Sequence, residues 1–324
     1  MRTLHGFGPS WFVRAARGAW RKRRQRVVCR QLEKQRKAIE QILKSEQAAS
    51  PFSDLRDFHA IQDLFPERPV TYLYDEYSAW DRACQRVQTM LRRFEGLRNG
   101  GKRLLELGAG DAMTGVLFQT YGHAMNLVDM CDWRDPRALG VPLSICDATG
   151  GLPFPDEHFD LVYSFNTLEH VLDVARALEE VCRVLRPNGM FYTHFGPLYC
   201  SPWGLHAQRF NMPYPQFLFS EEVLNAALCE LGNVDLNQES TALQPLNQWR
   251  VERYRSLFSD SDVFCGSILT ETNDTCLSVI RQYPQCFQGR GLTFEDVTVF
   301  ALDVCLTRTA CGTPCSKGRG RRDG

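Results

Sequence analysis

No acidic residue occurs in the first 30 positions, and no two cysteines anywhere in the 324-residue chain are spaced Cys-x-x-Cys. The second absence matters because there are 13 cysteines. They are scattered, and Cys311 and Cys315 have no histidine nearby to complete a zinc set, so no metal site is expected. The reading that remains is reduced, mostly buried thiols in a reducing, cytoplasmic compartment, with Cys146, Cys182 and Cys305 in strands or core helices. A long apolar run is missing too. The uncharged stretch Ala112–Val128 is interrupted by Thr, Gly, Gln, His and Asn, so no transmembrane span is expected. Net charge is zero, which hides an asymmetry: residues 1–44 hold 13 Lys/Arg against two acids, and the rest holds 25 against 36. An acidic body argues against a nucleic-acid groove over the core. The length and an apolar content of 44% allow one large domain with extensions, or two domains.

The acid-free N-terminus carries nine basic side chains in residues 1–30. Trp11, Phe12, Ala15, Ala16, Ala19 and Trp20 fall along one helical stripe. Residues 1–50 therefore read as a basic amphipathic helix, and three roles fit it. It is a solvated arm, an interfacial helix with arginines on anionic lipid, or an Arg-rich mitochondrial transit peptide. A secretory signal is not expected, because no apolar stretch follows the charges. Ser50-Pro51 marks a boundary. Residues 51–100 read as a helical lead-in whose Tyr72, Tyr74 and Tyr77 are candidates for the mouth of a pocket.

Residues 101–200 alternate strand and helix signals, which implies a parallel sheet covered on both faces. Arg103–Gly115 reads as a short apolar strand, a glycine turn at Gly108 and Gly110, and a helix start. Glycine lacks Cβ, so a ligand can lie close to the backbone there. Ala124–Asp129 reads as a second strand ending in a carboxylate 23 residues after Glu106. An acid at a strand tip can accept both hydroxyls of a ribose. Ile145–Ala148 ends a third strand, and FDLVYSFNTLEHV supplies a fourth strand and the turn after it. In open sheets of this kind ligands sit beyond the carboxyl ends of the strands, where Gly108, Asp129, Asp147 and Asn166 all fall. The dinucleotide fingerprint G-x-G-x-x-G/A does not fit, because its last position falls on Met113.

The stretch instead resembles motif I of class I S-adenosylmethionine (SAM) methyltransferases, an acid followed by G-x-G-x-G, with Ala112 where the third glycine would be. The later strands match that family in order, and the chain most resembles its UbiE-like small-molecule group. The resemblance implies a Rossmann-like α/β fold with a seven-stranded sheet and SAM as cofactor. It implies cofactor contacts from Glu106, Gly108, Ala109, Gly110, Asp129, Met130, Asp147, Ala148 and Asn166. Asp147 would bond the adenine amino group, and Asn166 would lie near the methionine end.

The 201–309 region reads as an aromatic substrate cap followed by the last strands. Its opening loop is too long and too rich in Pro, Gly and aromatics for a minimal connection. His206 and His194 are the candidate general bases, since histidine titrates near neutrality. Tyr199, Trp203 and Arg209 are the candidate substrate contacts. Asn211-Met212-Pro213-Tyr214 lacks a proline of the Asn-Pro-Pro-Tyr motif of nucleic-acid amino-methyltransferases and follows the wrong strand. Ser220 reads as the cap of a helix over 221–231. Val263–Leu269 reads as the sixth strand, and Val297–Leu306 as the seventh, an antiparallel edge strand. Residues 310–324 read as a disordered basic tail. The function expected is methyl transfer to a small, partly hydrophobic or lipid-linked molecule, with an anionic membrane surface as a partner for residues 1–30 and a peripheral-membrane location. The alternatives are a catalytically silent binding protein of the same fold, or a protein or nucleic-acid methyltransferase recruited by the basic arm.

Overall fold

A computed structural model describes residues 33–70, 73–235 and 238–309. The basic segment 1–30, Tyr72 and the tail 310–324 lie outside the described residues. The described residues divide into two compact units, those within 1–50 and 277–294 forming one and those within 51–276 and 295–324 the other.

In the first unit, helix α1 (33–43) buries Ile39 and Leu43. The chain after it is held by backbone bonds to the second segment of the unit. Ser50 N–H donates to Gln285 O at 2.8 Å, and Gly289 N–H donates to Ser45 O at 2.8 Å.

The second unit opens with α2 (Leu55–Gln62) and α3 (Glu76–Arg93). Each starts where an aspartate, Asp54 or Asp75, accepts backbone N–H bonds at the N-cap. The sheet follows, with β1 (Arg103–Leu107), β2 (Ala124–Asp129), β3 (Leu143–Ile145), β4 (Phe159–Phe165) and β5 (Leu185–Phe195) all parallel. Helices α4 (Met113–Thr120) and α5 (Val174–Val184) are two of the crossovers. Beyond them lie the four-residue helix α6 (Pro215–Leu218) and α7 (Glu221–Leu231), where Ser220 Oγ accepts the Val223 N–H. A small antiparallel hairpin of β6 (Asn233–Asp235) and β7 (Gln238–Ser240) comes next, which the sequence pattern did not announce. Then come α8 (Val251–Ser259), β8 (Phe264–Thr272) and β9 (Val299–Arg308).

The seven-stranded order is β3-β2-β1-β4-β5-β9-β8, with β9 antiparallel to both of its neighbours. One expectation is corrected here. The final strand is antiparallel but is not the edge, since β8 pairs along its outer side. The burial explains the placement: β9 is buried at nearly every position from Val299 to Leu306, whereas most of β8 is exposed. A flanked strand needs apolar side chains on both faces, and an edge strand does not. The cysteine expectation is corrected as well. Of the described cysteines only Cys200 and Cys286 are buried, while Cys131 and Cys229 are exposed.

Hydrogen-bonded order reverses between β1 and β4, because consecutive strands run outward from β1 to β3 and then outward again from β4 to β5. That reversal opens a crevice at the carboxyl ends of the strands.

Candidate active site

The crevice holds a cavity of about 1100 Å³. It exceeds the roughly 300–1000 Å³ of ordinary small-molecule pockets, which leaves space for two ligands side by side. Its wall is assembled from strand ends in turn: Leu107, Gly108 and Gly110 after β1, Asp129 and Met130 at β2, and Asp147 and Ala148 after β3. Asn166 to Asp173 follow β4, and His194, Gly196 and Pro197 close β5.

The glycine loop is fixed from below. Val128 O accepts the N–H of Gly108 at 2.9 Å and of Ala109 at 3.3 Å. Gly108 sits at φ +67°, a left-handed conformation that favours glycine. A Cβ there would come within 2.8 Å of Thr167 Cβ. Asp129 holds the loop from the side: its Oδ2 accepts the Gly110 N–H at 2.9 Å and its Oδ1 accepts the Met130 N–H at 2.7 Å. Burial pushes the Asp129 carboxyl up, and those N–H bonds pull against it. Asp111, one residue before the N-cap Ala112, accepts the Met113 N–H at 3.0 Å and pairs with Arg82 of α3.

Residues 105–193 match the family described as "Methyltransferase domain". The match starts inside β1 and ends in β5, so it covers the strands that build this crevice. Residues 105–193 are thus a methyltransferase domain.

Relatives carry the same name. The chain is 34% identical over 133 residues to a malonyl-[acyl-carrier protein] O-methyltransferase of Halorhodospira halophila, covering 38% of this chain and 44% of the relative. It is 29% identical over 147 residues to 27-O-demethylrifamycin SV methyltransferase of Amycolatopsis mediterranei, covering 42% and 53%. It is 49% identical over 49 residues to the ubiquinone/menaquinone biosynthesis C-methyltransferase UbiE of Laribacter hongkongensis, covering 15% and 20%. The matches thus span about half or less of the curated relatives.

Within the methyltransferase domain, most of the residues expected to hold cofactor line the cavity: Gly108, Gly110, Asp129, Met130, Asp147, Ala148 and Asn166. Two do not. Ala109 is buried, its N–H spent on Val128. Glu106 is fully buried behind the loop and accepts the Tyr163 hydroxyl at 3.0 Å. Removal from water pushes its carboxyl up to about 8, with the charge of Arg86 opposing.

The substrate-side residues divide as well. His194, Trp203 and His206 line the cavity. Trp203 lies under Arg68, whose guanidinium sits 3.5 Å from the ring centroid. Tyr199 does not line the cavity: its ring packs against Phe217 and its carbonyl accepts a bond from Gln216 at 2.6 Å. Arg209 is structural, donating to Leu231 O at 2.7 Å at the end of α7 and pairing with Glu239 of β7. Of the lead-in tyrosines, Tyr74 lines the cavity and Tyr77 is 85% exposed.

Burial, then the proximity of His170, lower His206 to about 4, which argues against it as a general base near pH 7. His194 Nε2 stands 3.1 Å from Glu271 Oε1 on β8.

Sequence reasoning missed Glu169, His170 and Trp133, all on the cavity wall. Glu169 is buried, and desolvation pushes its carboxyl up to about 8 despite a bond from Gly196 N–H at 3.1 Å. The available signal was two adjacent chemically active side chains directly after a strand's carboxyl end, the place where such sheets bind ligands.

Proposed function

We propose that this protein binds SAM at the β1–β4 crevice and transfers its methyl group to a small molecule held beneath Trp203. The observation carrying this reading is the cavity built from the carboxyl ends of five parallel strands, with Gly108, Gly110 and Asp129 on its wall. The donor set suits the cofactor. Asp129 is a half-buried carboxylate at the β2 tip, suited to a ribose diol, and Gly110 presents backbone without Cβ beside it. When bound, SAM supplies an electrophilic methyl group on a sulfonium.

The chain's own work is then mostly placement. Asp129 and Asp147 orient the nucleoside, and Asn166 lines the cavity where the methionine end would lie. The methyl acceptor is held against Trp203, Pro197 and Ala207, a largely apolar wall that also excludes water. Charge is dispersed in such a transfer, so alignment and desolvation contribute most of the acceleration. Where an acceptor loses a proton, His194 is the cavity-lining imidazole we assign to take it, beside His170 and His206 on the same wall, with Glu271 steadying its ring. The relatives named above are methyltransferases of malonyl-[acyl-carrier protein], of 27-O-demethylrifamycin SV and of ubiquinone/menaquinone biosynthesis. A partly hydrophobic acceptor is in keeping with those names.

Calorimetric titration with S-adenosylhomocysteine tests the reading. Wild type is expected to bind in the micromolar range, and Asp129→Ala to lose about 1.5–3 kcal/mol, roughly tenfold or more. A well-folded wild type that does not bind would refute it.

The nine basic side chains of residues 1–30 favour a second element, attachment to anionic lipid. Among the described residues no helix is long and apolar enough to cross a membrane. Deletion of residues 1–45 is expected to abolish flotation with phosphatidylserine vesicles and leave S-adenosylhomocysteine affinity unchanged. Continued flotation of the truncated chain would end the lipid proposal.

A further inference from the structure

One ligand atom from each of Glu169, His170 and His206 lies within 4.8 Å of the other two, on the wall of the same cavity. Two hydrogen bonds fix the protonation of the rings. His170 Nδ1 stands 2.9 Å from Pro245 O, and His206 Nε2 stands 2.8 Å from Pro197 O. A carbonyl only accepts, so each of those nitrogens carries the proton. The lone pairs are therefore on His170 Nε2 and His206 Nδ1. The two rings meet edge to face, with centroids 4.9 Å apart. Glu169 Oε1 accepts the Gly196 N–H, while Oε2 is buried without a hydrogen-bond partner.

Metal-ligating histidines almost always donate their second ring N–H to a carbonyl or carboxylate, which fixes the tautomer and the ring. Both rings here do so. A buried carboxylate oxygen with no partner is costly unless something cationic or protonated meets it. Two imidazoles and one carboxylate are the three-ligand set that holds zinc with a fourth position open. They suit zinc, iron or copper better than magnesium or calcium, which take oxygen ligands.

From this geometry we propose that Glu169, His170 and His206 form a site for a divalent transition cation, with its open position facing the cavity. The three ligands come from two places in the chain, the turn after β4 and the loop after β5. Two carbonyls and one amide N–H outside the set hold them in place. Ligand atoms around a tetrahedral zinc at about 2.1 Å stand roughly 3.4 Å apart, so the set closes by a small side-chain adjustment on binding. The open position would receive an oxygen or nitrogen donor of the molecule in the cavity. Metal binding stands on the ligand geometry alone, and only that last role rests on the methyl-transfer reading above.

The test uses the full chain, stripped of metal with a chelator and titrated calorimetrically with zinc alone. One zinc per chain is expected in wild type, with affinity reduced at least tenfold in Glu169→Gln and in His170→Gln. The glutamine at 169 keeps an acceptor for the Gly196 N–H, so the fold is spared, and an unchanged thermal melt checks this. Cobalt substitution supplies a second readout: d–d bands without a thiolate charge-transfer band are expected. Unchanged zinc affinity in both variants, or a thiolate band, would place the metal on cysteines and overturn the proposal. Titration of the same samples with S-adenosylhomocysteine separates the two ideas. Zinc binding without S-adenosylhomocysteine binding keeps the metal site and removes the methyltransferase reading. The converse removes the metal site alone.

Discussion

Glu106→Gln is expected to stabilise the protein at pH 8 by several kcal/mol and to change it little at pH 4.5. The sign follows from proton binding. In the unfolded chain this carboxyl titrates near 4.5, and in the native state burial carries it to about 8. Between those values the native state holds a proton that the unfolded state has released. Stability therefore falls as pH rises through that window, by up to about 1.4 kcal/mol per pH unit for this one group. Below 4.5 both states are protonated and the cost vanishes. Glutamine does not titrate and keeps an acceptor for the Tyr163 hydroxyl, 3.0 Å from Glu106 Oε2. Denaturant melts of both proteins at pH 4.5, 6 and 8 measure the difference. A gap that stays constant across the three would show that Glu106 is ionised in the native state.

Gly108→Ala is expected to reduce S-adenosylhomocysteine affinity by two orders of magnitude or more and to lower Tm by several degrees. Two costs combine. A residue with a side chain at φ +67° gives up roughly 1 kcal/mol. The added methyl also overlaps Thr167, whose β-branched side chain bonds to Leu107 O at 3.3 Å and Phe165 O at 3.1 Å and so has little room to turn. Either the glycine loop or the turn after β4 must move, and both line the cavity. Adding Thr167→Ala removes Oγ1 and Cγ2 and is expected to return part of the affinity. If Gly108→Ala binds like wild type, the loop is not where the cofactor lies.

The fold was legible because each strand of the parallel half announces itself. Leu104, Leu105 and Leu107 form a short apolar run that ends in glycine, and AMNLVD ends in an acid at the observed last residue of β2. The order of β8 and β9 was not legible from their own residues, since an alternating strand at an edge and a flanked one differ only in how completely both faces are apolar. The cavity wall on that side was readable for a related reason. Gly108, Gly110 and Asp129 line it because they sit where a strand end places them. The substrate side was not. Tyr199 and Arg209 have the right chemistry in the right loop, but packing on Phe217 and the Leu231 carbonyl turned them to structural work. Glu169 and His170 went unread because their significance depends on His206, more than 30 positions away in the chain and brought in by the loop after β5.

The bonds from Asp129 to Gly110 and Met130 have a thermodynamic corollary. A carboxylate on a free rotamer must be immobilised by whatever it binds, and that entropy is subtracted from the affinity. Here two backbone amides of the same chain have already immobilised it. Each oxygen retains a lone pair on its other side. A diol arriving at the β2 tip therefore displaces water and leaves the protein's own bonds in place. Its association enthalpy should include those new hydrogen bonds with little offset from reordering the glycine loop.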